Sequence, residues 1–493
     1  MTDPLLAADL WALMPMVLVT VAGLAMVVVD AIWNDSPVIP VVGAAGLLAG
    51  ILWELGNLGQ TGTAFSEMVL YGGFASYVNI VVLLSALLSI VLSVPYLRRI
   101  RHDYGEVYAL IVFAAVGMMV LASANSLVTV FVGLETMSIP LYILTGLVRE
   151  NAAANESALK YFLLGAFATG FFLYGIALIY GATGTLYLDQ IAAGLEEQGR
   201  YLFFWAGVAL LLIGFLFKVS AVPFHMWSPD AYQGAPTTLT GFMATGSKAA
   251  AFASLVLVLY HALSVQNAPW HLALAVIAVI TMVVGNVVAL AQDNVKRLLA
   301  YSAVAHAGYV LVGLSAGNAT GYSGALFYLL VYTLMNVGAF GVMAILEWDE
   351  EQGREQTLQS LAGIGYRKPL LGVVMGICMF SLIGFPPLGG FIGKWKVFAA
   401  AIEAEMTWLA LVGVITSVVS AGYYLRVLVY FWMRPEEEQP EEVQGRSFPV
   451  PTSSAFVLTF CAVGLVILGV LPSTVLDLTS AFFDGVSRVA LGM

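Results

Sequence analysis

Apolar runs of 17 to 27 residues follow one another from end to end of this 493-residue chain, and they leave it few ways to fold. A bilayer core takes about 20 helical residues to cross. Hydrophobic residues make up 60% of the chain and charged residues 10%, at a mean hydropathy of +0.92, so a soluble globule of this size would lack polar surface to show to water. The period-two alternation of a transmembrane barrel is absent. The sequence therefore predicts an all-α polytopic membrane protein. The first run, Leu10 to Asp30, has neither a basic region ahead of it nor a small-residue cleavage site, and reads as a retained span rather than a signal peptide. Cys378 and Cys461 lie singly in apolar runs and read as packing residues, without a disulfide framework or metal site.

About fourteen helices are expected, near residues 10–30, 38–56, 76–96, 107–122, 124–147, 158–181, 201–222, 236–262, 272–291, 298–316, 320–347, 369–403 (broken), 407–433 and 453–474. With the N-terminus outside, the cytoplasmic loops hold Arg98, Arg99, Arg101, Arg149, Lys160, Lys296, Arg297, Arg354, Arg367, Lys368, Arg434 and Arg446, twelve of the 19 Lys and Arg. The outer side holds only Arg200 and Arg488. That asymmetry predicts both termini on the outer side of a prokaryotic cytoplasmic membrane. A net charge of −11 and the acidic linker PEEEQPEEVQ (435–444) argue against nucleic-acid binding.

Five cations remain inside the spans: Lys218, Lys248, Lys394, Lys396 and Arg426. Charge at membrane depth is costly and marks ion pathways by default. Arg426 lies eight residues before Arg434, where its stem can reach the interface. Lys396 points about 200° away from Lys394 on a helix, toward an outer edge. Glu135, in VFVGLETMSIPLY, is the one acid far from a span end, and it is the expected partner of Lys218. Burial disfavours a lysine's charged form and a nearby carboxylate restores it, so such a pair can take up and release a proton. Lys248 lies in GFMATGSKAAAFA, whose small residues let helices approach closely. Any one of these lysines could instead be a structural ion pair or a snorkelling end residue; four aligned charges argue against that.

The chain also repeats itself. Ala158-Leu-Lys-Tyr161 and Ala325-Leu-Phe-Tyr328 each start a helix, and each is followed one span later by proline within an apolar run, Pro223 in one copy and Pro386-Pro387 in the other. Five helices form a unit, so the second copy enters the membrane from the opposite side, as in many carriers. The expected division is residues 1–105 as three leading helices, 106–262 and 272–433 as the two inverted repeats, 434–452 as an acidic cytoplasmic linker and 453–493 as the last helix. A proline break frees carbonyls that in lipid need protein or water. An ordinary kink would also explain either proline alone. His225, just past Pro223, and His306, in AYSAVAHAGYVLVG, are further relay candidates, since histidine titrates near neutrality. His225 could equally be a hydrogen-bonded packing histidine, whereas for His306 the relay is the preferred reading. No histidine pair, Cys cluster, phosphate loop or nucleophile motif is present, which leaves no evident redox or hydrolytic centre in the chain.

The stretches VFVGLETMSIPLYIL, ALKYFLLGAFATGFFLYGIALIYGATG, FKVSAVPFHMWSPDAYQGAP, DNVKRLLAYSAVAHAGYVLVG and GFPPLGGFIGKWKVF resemble the proton-translocating membrane subunits of respiratory complex I, the NADH-quinone oxidoreductase, which are related to multisubunit cation/proton antiporters. The likeness covers roughly residues 105 to 435. The chain has no length after Thr474 for the lateral helix of the largest such subunit, and carries Lys394 where the middle one typically has glutamate. By resemblance, the family's fifth-helix glutamate matches Glu135, its lysines of the seventh, eighth and twelfth helices match Lys218, Lys248 and Lys394, its bridging histidine matches His306, and the histidine of the HxWxPDAYxGAP stretch matches His225. The resemblance further implies that NADH, FMN, iron-sulfur clusters and quinone are bound by other subunits, that the partners are the remaining membrane-arm and peripheral-arm subunits and the lipid bilayer, and that this chain itself binds no cofactor. A subunit of a cation/proton antiporter or of a related membrane hydrogenase complex would carry nearly the same machinery. A stand-alone solute carrier would need a polar midplane pocket, which the sequence lacks.

Overall fold

The structure, a computed structural model, describes residues 4–264, 268–347, 356–441, 443–444 and 448–483. Arg354, Arg446 and Arg488, which entered the charge count, lie outside the described residues. Thirteen helices among the described residues are long and apolar enough to cross a membrane. They correspond to thirteen of the fourteen expected spans. The remaining one is split into Pro369–Ile383 and Gly389–Glu403, 15 residues each. Just before it, Gln359–Arg367 meets Pro369–Ile383 at 116°. One small departure from an all-α fold is an antiparallel hairpin, Thr61–Ala64 against Val69–Gly72, with Thr61 opposite Gly72.

Position in the bundle follows from how apolar and how small the side chains are. The most apolar stretch of Thr237–Ala262 is 100% buried, and those of Val295–Ser315 and Ala319–Leu346 are 94% buried, so these three helices form the centre. Met14–Ile32 and Ala152–Thr183, at 22% and 33%, present most of their surface outward. Lys248 and His306 therefore ride on central helices, where no snorkelling to an interface is possible.

Helices Gly105–Ala122 and Leu127–Thr145 approach each other almost backbone to backbone. A Cβ at Gly117 would lie 2.3 Å from the Met137 nitrogen, and one at Gly133 2.5 Å from that of Leu121. Small residues at such crossings are what apolar helices use to gain packing in lipid.

Both proline segments interrupt their helices. Tyr201–Lys218 ends at the lysine, residues 219–226 form turns around Pro223, and Trp227–Gly234 resumes the helix. The Trp227 indole donates to the Phe217 carbonyl at 2.9 Å, taking up one acceptor the helix end exposes. At the second break Gly384 closes Pro369–Ile383 at φ +88°, a conformation open to glycine, and its N–H caps Phe380 and Ser381. Lys296, expected in a solvated loop, lies instead in the first turn of Val295–Ser315 and is 5% exposed, because that helix starts three residues earlier than the apolar pattern predicts.

Candidate functional site: a polar chain through the bundle

Lys218 sits 2% exposed at the end of its half-helix. Its ammonium donates to Ser138 Oγ at 2.9 Å and to Tyr161 Oη at 3.2 Å. The Tyr161 ring stacks on Trp227 at 4.1 Å and 6°, so the far side of the break fixes the phenol that meets the lysine. Glu135 does not touch Lys218. Its carboxylate accepts from Thr169 Oγ1 at 2.7 Å, and no ion pair joins it to a cation among the described residues. The direct pair expected from sequence is thus replaced by hydroxyls: Ser138, nearly one turn beyond Glu135, takes the lysine, while Glu135 turns toward the neighbouring helix. A single cleft is lined by Ser138, Thr169 and Lys218 together.

Lys248 is also 2% exposed, and donates to the Ala303 carbonyl at 2.8 Å. Residues Met243–Ser247, immediately before it, form a π-helical turn, a widening that often accompanies functional positions. Three residues after Ala303, His306 places Nδ1 2.5 Å from Tyr328 Oη and Nε2 2.9 Å from Tyr424 Oη. Tyr424 in turn hydrogen-bonds Ser302. The histidine is held at both ring nitrogens by phenols.

Lys394 closes the row. Its ammonium donates to the carbonyls of Leu382 (2.9 Å) and Ile383 (3.0 Å) and to Ser417 Oγ (2.7 Å), and lies 4.4 Å from the centre of the Tyr309 ring. Tyr309 Oη accepts from Asn286 at 3.1 Å, Asn286 accepts from Tyr423 at 3.0 Å, and the Tyr423 and Tyr424 rings are 4.3 Å apart. Phenols and one amide therefore lead from Lys394 back to His306.

His225 is not brought into this row. Its ring lies 6.5 Å, centroid to centroid, from that of Tyr301, and its Nδ1 has no hydrogen-bond partner among the described residues. Lys396 is part-buried beside Gly324, whose added Cβ would lie 3.0 Å from it, and Arg426 donates to the Gln292 carbonyl, capping a neighbouring helix end. Ser138, Thr169, Tyr309, Ser417, Tyr424 and Asn286 were not singled out from sequence. The only usable signal was Ser138, three residues from Glu135 and so on its helix face.

An ion-pair strut ties the short helix Trp227–Gly234 to the first turns of two spans. Asp230 binds Lys160 at 2.8 Å and Arg297 at 2.7 Å. Burial pushes its carboxyl upward, but the two cations outweigh that and hold it below the usual aspartate range. Among the described residues no group of three or more His, Cys, Asp or Glu could hold a metal ion.

Comparison with known proteins sorts this arrangement. The family described as NADH:quinone oxidoreductase/Mrp antiporter, TM, matches residues 124–420. The chain is 59% identical over 486 residues to NADH-quinone oxidoreductase subunit N of Salinibacter ruber, covering 98% of this chain and 97% of that protein. It is 45% identical over 479 residues to subunit N of Trichlorobacter lovleyi, covering 95% and 96%. A chain of respiratory complex I from Thermus thermophilus with bound aureothin aligns at TM-score 0.82 and 36% identity, over 94% of this chain and 99% of that one. A chain of the Mrp complex from Dietzia sp. aligns at TM-score 0.83 and 20% identity, over 98% and 99%, a likeness of fold. With more than half its length matched and relatives similar along nearly all of it, the chain belongs to the NADH:quinone oxidoreductase/Mrp antiporter membrane family, among its subunit N members.

Proposed function

We propose that this chain is a proton-translocating membrane subunit of an NADH-quinone oxidoreductase, moving protons outward through its buried polar row while other subunits bind NADH, FMN, iron-sulfur clusters and quinone. The observation that carries the reading is the row itself. Glu135 with Thr169, Lys218 with Ser138 and Tyr161, Lys248 on Ala303, His306 between two phenols, and Lys394 on Ser417 follow one another through a largely apolar core. Hydroxyls both accept and donate, so each can pass a proton between lysines and histidine. A carbonyl only accepts. Lys248 must therefore leave Ala303 before it can hand its proton toward His306.

Residues 106–262 and 272–433 are read as the inverted repeats, supported by the two interrupted helices and by Tyr161 and Tyr328 at matching positions of their copies. Both termini are assigned to the outer side on the charge asymmetry of the loops. His225 is kept as a relay candidate at the edge of the row rather than within it. An antiporter subunit of the Mrp kind is the second reading, but its support is fold likeness at 20% identity.

The test is the assembled complex in membrane vesicles, with NADH-driven proton uptake measured per NADH oxidised. Lys218→Ala and Glu135→Ala are expected to uncouple or stop pumping. Lys218→Arg is expected to fail as well, because guanidinium does not release its proton in a protein. Normal pumping in all three would overturn the proposal.

A further inference from the structure

Away from the row just described, a second line of buried hydroxyls runs along helix Gly73–Arg99. Ser85, Ser89, Ser93 and Tyr96 fall within about 80° of one another around that helix and span about 16 Å of its length. This face meets Thr237–Ala262, the helix that carries Lys248. Ser85 hydrogen-bonds Thr245 at 2.6 Å and Ser93 donates to Thr238 at 2.8 Å, while Ser89, between them on the same face, donates to the Ser85 carbonyl of its own helix at 2.7 Å. Thr245 lies in the π-helical turn, three residues before Lys248.

At its other end the line reaches an acid. Glu347, 7% exposed, accepts from Tyr96 at 2.9 Å and from Thr237 on one oxygen. The Lys296 ammonium is 3.7 Å from the other oxygen and makes its shorter bond, 2.7 Å, to the Ala235 carbonyl. The carboxylate is therefore tied to hydroxyls more closely than to its counter-charge. Simple packing of small residues would be served by alanine; here hydroxyls meet across the interface at Ser93–Thr238 and Ser85–Thr245, between a titratable group and the turn that precedes Lys248.

We propose that Glu347 is a proton-uptake group for Lys248, reached from the end of the bundle that carries Arg98 and Arg99 and connected through the Ser85–Tyr96 face. Glu347 takes a proton from water as its carboxylate becomes the acid. The proton then passes along the hydroxyls, once Ser89 has left the Ser85 carbonyl and Lys248 the Ala303 carbonyl, to the neutral Lys248 amine, which becomes ammonium, and Glu347 returns to carboxylate. This rests on the proton-carrying function proposed above.

The experiment uses the assembled complex in membrane vesicles, with protons moved per NADH oxidised. Glu347→Gln keeps size and hydrogen-bond acceptance but cannot take a proton; Glu347→Asp keeps the carboxylate but is one methylene shorter. The expected result is at least a twofold loss for Glu347→Gln, with Glu347→Asp nearer native. The reverse order marks a structural role and overturns the inference. If Glu347→Gln does not assemble, Thr237→Val decides: a twofold loss supports the path, and native pumping overturns it. Lys248→Ala separates the two levels. Loss there with native pumping in Glu347→Gln defeats this path alone, whereas native pumping in both defeats the proton-carrying reading itself.

Discussion

Tyr161 and Tyr328, 167 positions apart, each put a phenol against a titratable side chain: Tyr161 lies 3.2 Å from Lys218 Nζ and Tyr328 2.5 Å from His306 Nδ1. Tyr161→Phe and Tyr328→Phe remove only the hydroxyl and leave the ring packing. Each lost bond is worth about 1 kcal/mol, which corresponds to about fivefold in an equilibrium. Both variants should assemble normally and lose pumping by roughly that factor, read as protons moved per NADH oxidised.

Lys394 separates stability from transport. Lys394→Met strips a donor from the Leu382 and Ile383 carbonyls; Ile383 keeps its bond from Ser417 at 3.0 Å, so Leu382 is the group left unsatisfied, at about 1–3 kcal/mol. Lys394→Arg restores donors without a releasable proton. Thermal denaturation of the purified complex should fall for the Met variant and recover for the Arg variant, while pumping stays low in both.

Asp230 has a pH signature. Its folded pKa lies below the ordinary 3.8, so its stabilising contribution is full above that value and is lost as pH falls through the folded pKa. The stability gap between the native protein and Asp230→Asn should be constant from neutrality down to about pH 4 and close below it. Because the pair network is part-exposed, the gap at neutral pH should be only about 1 kcal/mol.

Gly117→Val drives a side chain into the Met137 backbone 2.3 Å away, whereas Gly170 has open space around an added Cβ. Native gel electrophoresis should show little assembled complex for Gly117→Val and normal amounts for Gly170→Ala.

The spans were legible because lipid demands long apolar helices, and Lys218, Lys248 and Lys394 were legible because charge is conspicuous there. Hydroxyls were not. Ser138 or Tyr424 reads like any small or aromatic residue in an apolar helix, and many such hydroxyls simply bond their own backbone, as Thr145 does to Leu141. Glu347 and Lys296 were hidden for another reason: charges at span ends look solvated until tertiary packing buries them. The pairing of Glu135 with Lys218 was inferred from opposite sign, and sign does not say which way a side chain turns. The hairpin at Thr61–Gly72 escaped because its strands are four residues long and lack a readable alternation.

The Lys394 ammonium rests on the last carbonyls of Pro369–Ile383, where the peptide dipoles of a helix converge into partial negative charge. Occupancy by a proton is thus registered by the backbone as well as by the side chain. In the proposed cycle a neutral amine would still donate hydrogen bonds but would no longer carry the charge that clamps that terminus. On that proposal, a chemical event at one nitrogen would be converted into mechanical slack at the joint of a half-helix.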